Sequence, residues 1–233
     1  MKFFYTLLWG LLFFSCSKPD IFLPVNDNPG QSGVKNISQV YIFFKTNRNG
    51  DTISEMHKNQ IISATHYVVH IDRRLPVKYI ISDLEWLHEK RHRKSIHNIP
   101  GMHLYFSHID SVNKTMRLNV FDDLEILSPF YHSRIYVKKY ARKFTGVHPV
   151  HLDLQKDKLL VNDTAFNFPA QKTEISNFIY SRSRDSIPSL LILNTDYRVS
   201  YNRYNYLYGF LVNLDSSKAV LMHKQFWYNP KEL

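Results

Sequence analysis

The chain has 233 residues, of which 44% are hydrophobic, with 30 Lys and Arg against 20 Asp and Glu and a net charge of +10. That length suffices for two small domains or one medium one. The single cysteine, Cys16, excludes an internal disulfide, so the fold rests on its core, and the seven glycines form no phosphate-cradling loop.

The first residues have the three-part order of an exported signal: Lys2, an apolar run from Phe3 to Phe14, then Ser15-Cys16 followed by the polar stretch Ser17-Lys18-Pro19-Asp20. The run is shorter than the roughly 20 residues needed to cross a bilayer core. Cys16 after a small residue resembles a bacterial lipobox, with Phe13 and Phe14 where Leu and a small residue are commoner. The expectation is cleavage after residue 15, lipidation of Cys16, and a lipid-anchored envelope protein, in the outer membrane in preference to the inner. Residues 16–36, rich in Pro, Asn, Gly and Ser, read as a tether. Export argues against nucleic acid as the partner of the positive charge. It leaves phospholipid headgroups, acidic envelope glycans, or plain solvated basic faces.

A first unit is expected over residues 37–145. Tyr41 to Phe44 and the turn Asn47-Arg48-Asn49-Gly50 read as a strand and turn without a counterpart later in the chain. Val69-His70-Ile71-Asp72 reads as a strand, followed by a basic turn, the apolar pair Leu75 and Val77, and a helix over about Ile80 to Arg93. After Ile99-Pro100 come a strand at Leu104-Tyr105-Phe106, a helix over about Thr115 to Leu127, and a last strand from Arg134 to Lys139.

The first helix carries His88-Glu89-Lys90-Arg91-His92, an H-E-x-x-H string that places two imidazoles one turn apart with a carboxylate beside them, as in zinc hydrolases. The elongated form needs Gly where Ser95 stands, and His97 falls one residue short of the usual third ligand. The cations from Lys90 to Lys94 oppose a metal charge. The residues read mainly as a solvated basic face, with a zinc-dependent hydrolase using His88, His92 and the base Glu89 as the alternative.

Residues 146–233 repeat much of this pattern. Val150-His151-Leu152-Asp153 echoes Val69 to Asp72, and His70 and His151 read as sheet-packing residues at matching positions. A second strand spans Leu159 to Val161, a helix about Ala170 to Arg182, and a strand Leu190 to Leu193 after Ile187-Pro188. From there the halves align without a gap, Val112 on Val199, Val120 on Leu207 and Leu124 on Leu211. A helix from Tyr201 to Leu214 and a strand from Lys218 to Lys224 complete the unit. The reading is α+β: two tandem β-β-α-β-α-β units, each a small sheet with two helices on one face.

The stretch Leu190 to Asn194, Thr195-Asp196, Tyr197-Arg198, Val199-Ser200-Tyr201 resembles the periplasmic domain of the ExbD/TolR biopolymer-transport family, where a strand ending in Ala-Asp precedes x-x-Val-x-Tyr at a helix start. His151 to Leu154, Lys156 to Lys158 and Leu159 to Asn162 match the family's upstream strand, turn and strand. The resemblance implies Asp196 as a turn residue and Val199 and Tyr201 as anchors of the helix. It also implies a domain that associates in pairs and touches peptidoglycan or a TonB-like energy transducer. A tandem copy can form such a pair within one chain. The family's proton-coupling helix has no match, since residues 3–14 contain no acidic residue.

Tyr206 and Phe210 lie roughly opposite Leu207 and Leu211 on the last helix, so they pack on the other unit or offer rings to a glycan or protein partner. Lys218, His223 and Lys224 flank a strand that could receive a partner strand at an open edge. No cofactor signature is present. The function expected is a non-enzymatic envelope binding or scaffold protein that associates with peptidoglycan or a TonB/Tol-type complex. The alternatives are the zinc hydrolase and a surface glycan-binding module.

Overall fold

The computed structural model describes residues 20–58, 61–93, 99–122, 125–127, 132–183 and 187–231. The signal segment, Cys16, Ser95 and His97 lie outside these residues. The fold is α+β, with two sheets sharing one large hydrophobic core and a small separate cluster of Val68, Tyr105 and Leu118 on the first sheet.

The first sheet contains β1 (Val25–Asn26), β2 (Ile37–Thr46), β3 (Thr52–Met56), β4 (His66–Ile71), β5 (Leu104–Asp110) and β6 (Met116–Val120), with α1 (Ile81–His92) between β4 and β5. The second holds β7 (Glu125–Leu127), β8 (His148–Leu154), β9 (Leu159–Val161), β10 (Thr164–Phe166), β11 (Ser189–Asp196), β12 (Ala219–Leu221) and β13 (Lys224–Tyr228). The remaining helices are α2 (Ser133–Lys139), α3 (Lys172–Tyr180) and α4 (Tyr201–Val212).

The two sheets share a four-strand pattern. β3-β2-β4-β5 and β9-β8-β11-β13 have the same order, with the first pair antiparallel and the next two parallel. The strand Tyr41 to Phe44, expected to lack a counterpart, therefore corresponds to β8. The similar tetrads at Val69 and Val150 fall in strands that are not equivalent, β4 and β8. The equivalent of β4 is β11, so the turn matching Asp196 to Arg198 is Asp72 to Arg74, and the gap-free alignment of Val112 on Val199 does not hold.

Those turns are built alike. Asp72 is fully buried at the end of β4, where it accepts from the Arg74 backbone amide at 2.9 Å and from the Arg74 guanidinium at 2.9 and 2.7 Å. Asp196, buried at the end of β11, accepts from the Arg198 amide at 2.9 Å and from its guanidinium at 2.7 Å. An Asp at a strand end satisfies the turn's backbone donors, and the Arg neutralises the buried charge.

The two turns also pair with each other. Val77 N donates to Val199 O and Tyr201 N to Leu75 O, while Lys78 N donates to Tyr197 O and Asn202 N to Arg73 O. Pro76 and Ser200 meet as an antiparallel bridge at the centre. Each bond in one half is returned by the other, which is the signature of an isologous contact.

Several local expectations are corrected. The helix over Thr115 to Leu127 is instead β6 and β7: Asp110 accepts from Val112 N, and Lys114 has φ +54°, so a tight turn folds residues 116–120 back onto β5. The strand over Arg134 to Lys139 is the helix α2, because Tyr136 and Tyr140 turn inward at helical spacing and the His132 side chain accepts from Arg134 N. The first unit thus has α1 as the counterpart of α4, and none of the described residues between β3 and β4 form a helix matching α3.

The segment expected to be a tether is partly packed, between Phe22 and Asn28, while Asp20 and residues 31–33 and 35–36 are exposed. β1 extends the first sheet beside β5, and Arg73 N donates to Phe22 O at 2.7 Å. Asn26 and Asn28 are buried against α4, and a Cβ at Gly209 would meet Asn26 Nδ2 at 3.2 Å, so glycine admits this close approach. β7, from the first unit, joins the second sheet, so the chain enters the second sheet before residue 145.

Candidate partner-binding groove

The helix α4 joins both halves. Tyr204 Oη donates to Gln225 of β13 at 2.8 Å, Tyr208 Oη donates to Val120 O of β6 at 3.3 Å, and the Tyr201 ring meets the edge of Phe106. Ser200 caps its start by accepting from Arg203 N. Val199 and Tyr201 are fully covered, so with Asp196 they form one buried strand-to-helix joint.

Tyr206 and Phe210 do not pack on residues 37–145. They lie on the side of α4 that faces α3 and residues 27–29, next to Phe168. The reason is the wide inner surface of α4: Tyr201, Asn205 and Tyr208 already occupy the side toward the first sheet. Tyr206 and Phe210 line a groove of about 380 Å³ with Tyr180, Leu214, Lys172 and Asp27.

Asp27 and Lys172 form an ion pair at this groove, and Tyr206 Oη reaches both, at 2.7 Å from Asp27 Oδ2 and 2.7 Å from Lys172 Nζ. Burial pushes the Asp27 carboxyl up, but hydrogen bonds from Lys172, Tyr206 and Ser111 outweigh it and hold the pKa at about 2. Burial lowers Lys172, and its bonds to Asp27 and Tyr206 reverse that to a net rise. Burial raises the Tyr206 phenol. At neutral pH the trio is therefore a carboxylate, an ammonium and a neutral phenol. An aromatic wall with this compensated polar mouth suits an amphipathic ligand, such as a sugar ring or peptide with polar edges. Asp27 and Lys172 carried no sequence signal, since their contact spans most of the chain.

His223 and Lys224 do not flank an open edge, whereas among the described residues β12, which follows Lys218, pairs with β11 alone. β12 and β13 both pair with β11, and the other side of β13 is taken by β7, with Lys224 on Glu125 and Phe226 on Leu127. The Lys224 ammonium pairs with Glu125, and Lys218 pairs with Asp215 at 3.7 Å. The partner-strand position at β13 is filled by this chain's own first unit.

In α1, His88 is half-buried, His92 and Glu89 are exposed, and the two imidazoles lie 4.0 Å apart between centroids. His92 Nδ1 lies 2.9 Å from the His88 carbonyl oxygen and donates to it, so that nitrogen is committed to the helix backbone. Burial lowers the His88 pKa. Among the described residues no three His, Cys, Asp or Glu converge as metal ligands. The basic face is not wholly solvated: Arg91 is buried, donates to Ser63 O and Thr65 O, and lies over the Tyr67 ring.

A polar cluster that the linear sequence hides joins α2 to the second sheet. Ser133 Oγ lies 2.6 Å from His151 Nδ1, His132 Nε2 lies 2.8 Å from Asp153, and Ser133 N donates to Asn194 at 2.8 Å. Ser133 is fully buried, and these bonds tie α2 down. His70 packs inside the first sheet as expected, 2.9 Å from Ser107 Oγ and stacked on Tyr41.

No family model, curated protein or solved structure matches the chain.

Proposed function

We propose that the protein is a lipid-anchored envelope binding scaffold. In this reading two ExbD/TolR-like units form, within one chain, the pair that family members form between chains. The observation that carries it is the reciprocal pairing of residues 73–78 with 197–202 around the Pro76–Ser200 bridge. A chain that completes its own isologous contact needs no second copy to be whole. It presents the α3/α4 groove once per molecule, and Cys16 holds that groove at the membrane surface.

The ligand class that fits the groove is a peptidoglycan fragment. Tyr206 and Phe210 offer ring surface to sugar faces, while the Asp27–Lys172–Tyr206 trio offers a charge-compensated polar edge to hydroxyl and amide groups. The test is titration of the soluble mature chain, with Cys16→Ser, against muropeptides and separately against a TonB-like periplasmic peptide, followed by amide chemical shifts. Shifts confined to residues 172–180 and 206–214 with muropeptides, weakened about tenfold or more by Phe210→Ser, are expected. Shifts with the TonB-like peptide alone would move the protein to an energy-transduction complex. No response to either ligand overturns the reading.

A further inference from the structure

From His132 to Leu152 the chain contains no Asp or Glu, while Arg134, Lys138, Lys139, Arg142 and Lys143 supply five cations. The structure arranges them on one side. In α2 the exposed residues are Arg134, Ile135, Lys138 and Lys139, which at 100° per residue fall within less than half a turn. Tyr136, Val137 and Tyr140 turn the other way and are half-buried, with the Tyr136 ring 5.3 Å from Phe226 and 4.7 Å from Tyr140. The 3-10 turn Ala141–Phe144 continues the surface and exposes Arg142 and Lys143.

Two features separate this surface from an ordinary solvated basic face. At its centre is Ile135, 51% exposed, with Lys138 and Lys139 one helical turn away. The platform is also held rigidly, by Ser133 on His151 and Asn194 and by His132 on Asp153. Of the five cations, Arg134 pairs with the exposed Asp163, and the nearby Glu125 pairs with Lys224.

We infer that the α2 surface, Arg134 to Lys143 with Ile135 at its centre, docks on anionic phospholipid headgroups of the bilayer. The charge complementarity is direct: a segment with five cations and no acid of its own faces phosphates, and one exposed aliphatic side chain enters the interface. The inference deepens the lipid-anchored reading and rests on it for its biological setting. The docking itself does not require the acyl group.

The test uses the mature chain with Cys16→Ser, which keeps every described residue and lacks the lipid. It is mixed with phosphatidylcholine vesicles and with vesicles in which roughly one lipid in four is phosphatidylglycerol, and sedimented. Binding to the anionic vesicles alone is expected, falling steeply between about 0.1 M and about 0.5 M salt as screening shortens. Replacing Lys138, Lys139, Arg142 and Lys143 by Ser should weaken it by about a hundredfold or more, at about fivefold per cation. Ile135→Ser should weaken binding while leaving its salt dependence unchanged. As a control, Lys156→Ser with Lys158→Ser, at the exposed β8–β9 turn, should change little. Unchanged melting of each variant shows that the fold survives. Equal binding to both vesicle types, no binding, or equal losses from the control pair overturns the proposal. So does a patch variant that loses peptidoglycan retention but keeps vesicle binding. Fatty-acid labelling at Cys16 tests the anchor separately, so a failure there is distinguishable from a failure of the surface.

Discussion

Val77 and Tyr201 play the same part in opposite halves of the chain: the Val77 amide donates to Val199 O at 2.8 Å, and the Tyr201 amide donates to Leu75 O at 2.7 Å. Each turn is thus shaped by its own Asp-Arg clamp and held by the other turn. Asp72→Ala and Asp196→Ala each remove the acceptor of a turn amide, and each should cost about 1–3 kcal/mol. Because the turns share hydrogen bonds, the double variant should depart from the sum by about 0.5 kcal/mol or more. Urea unfolding of the four proteins measures this, and strict additivity would show that the turns are independent.

His70 gives the first sheet a pH dependence. Burial holds its pKa at about 4, against an ordinary value of 6.5, so the folded protein refuses a proton that the unfolded chain accepts. Its contribution is complete above about pH 6.5 and is lost as pH falls toward about 4, amounting to about 3 kcal/mol. His108 and His151, also lowered first by burial, act in the same direction. The urea midpoint should therefore fall across this window, and His70→Phe should flatten the fall without abolishing it. An unchanged slope in that variant would exclude His70 as the source.

The Asp27 carboxyl responds lower on the scale. Its pKa of about 2 lies below the ordinary 3.8, so the stabilisation it gives is present above about pH 4 and disappears as pH falls toward 2. Amide exchange at residues 25–30 should quicken over that interval before the second sheet opens. Asp27→Asn should remove the dependence, and a variant that keeps it would reassign the effect.

The outer side of β13 is covered by β7, so amides along residues 224–226 should exchange slowly in the free protein. Ile126→Pro, which removes a backbone donor from β7, should release protection there while β8 and β11 stay protected. Fast exchange at 224–226 in the unaltered protein would restore the open-edge reading.

The His88 and His92 pair should bind zinc only substoichiometrically. Metal analysis of purified protein, with His92→Ala as reference, checks this. One zinc per chain, lost in the variant, would promote the hydrolase.

Local pattern was enough for α1, α3 and α4 and for most of β4, β8, β9 and β11, because helical and strand periodicity reports which side of an element is apolar. The joint at Asp196, Val199 and Tyr201 was pointed to by the resemblance of residues 190–201 to the ExbD/TolR motif, and its residue types suit a strand-to-helix turn. The tertiary structure alone decided which elements correspond. The tetrads at Val69 and Val150 share text yet occupy β4 and β8, because strand equivalence is set by backbone pairing, which leaves no mark in side-chain order. Residues 116–120 became a strand through the open edge of β5. The groove at Tyr206 and Phe210 was closed by Asp27 and Lys172, two residues brought together only when the N-terminal segment lies against α4. Contacts over such separations form through the packing of the whole chain, so no window of sequence contains them.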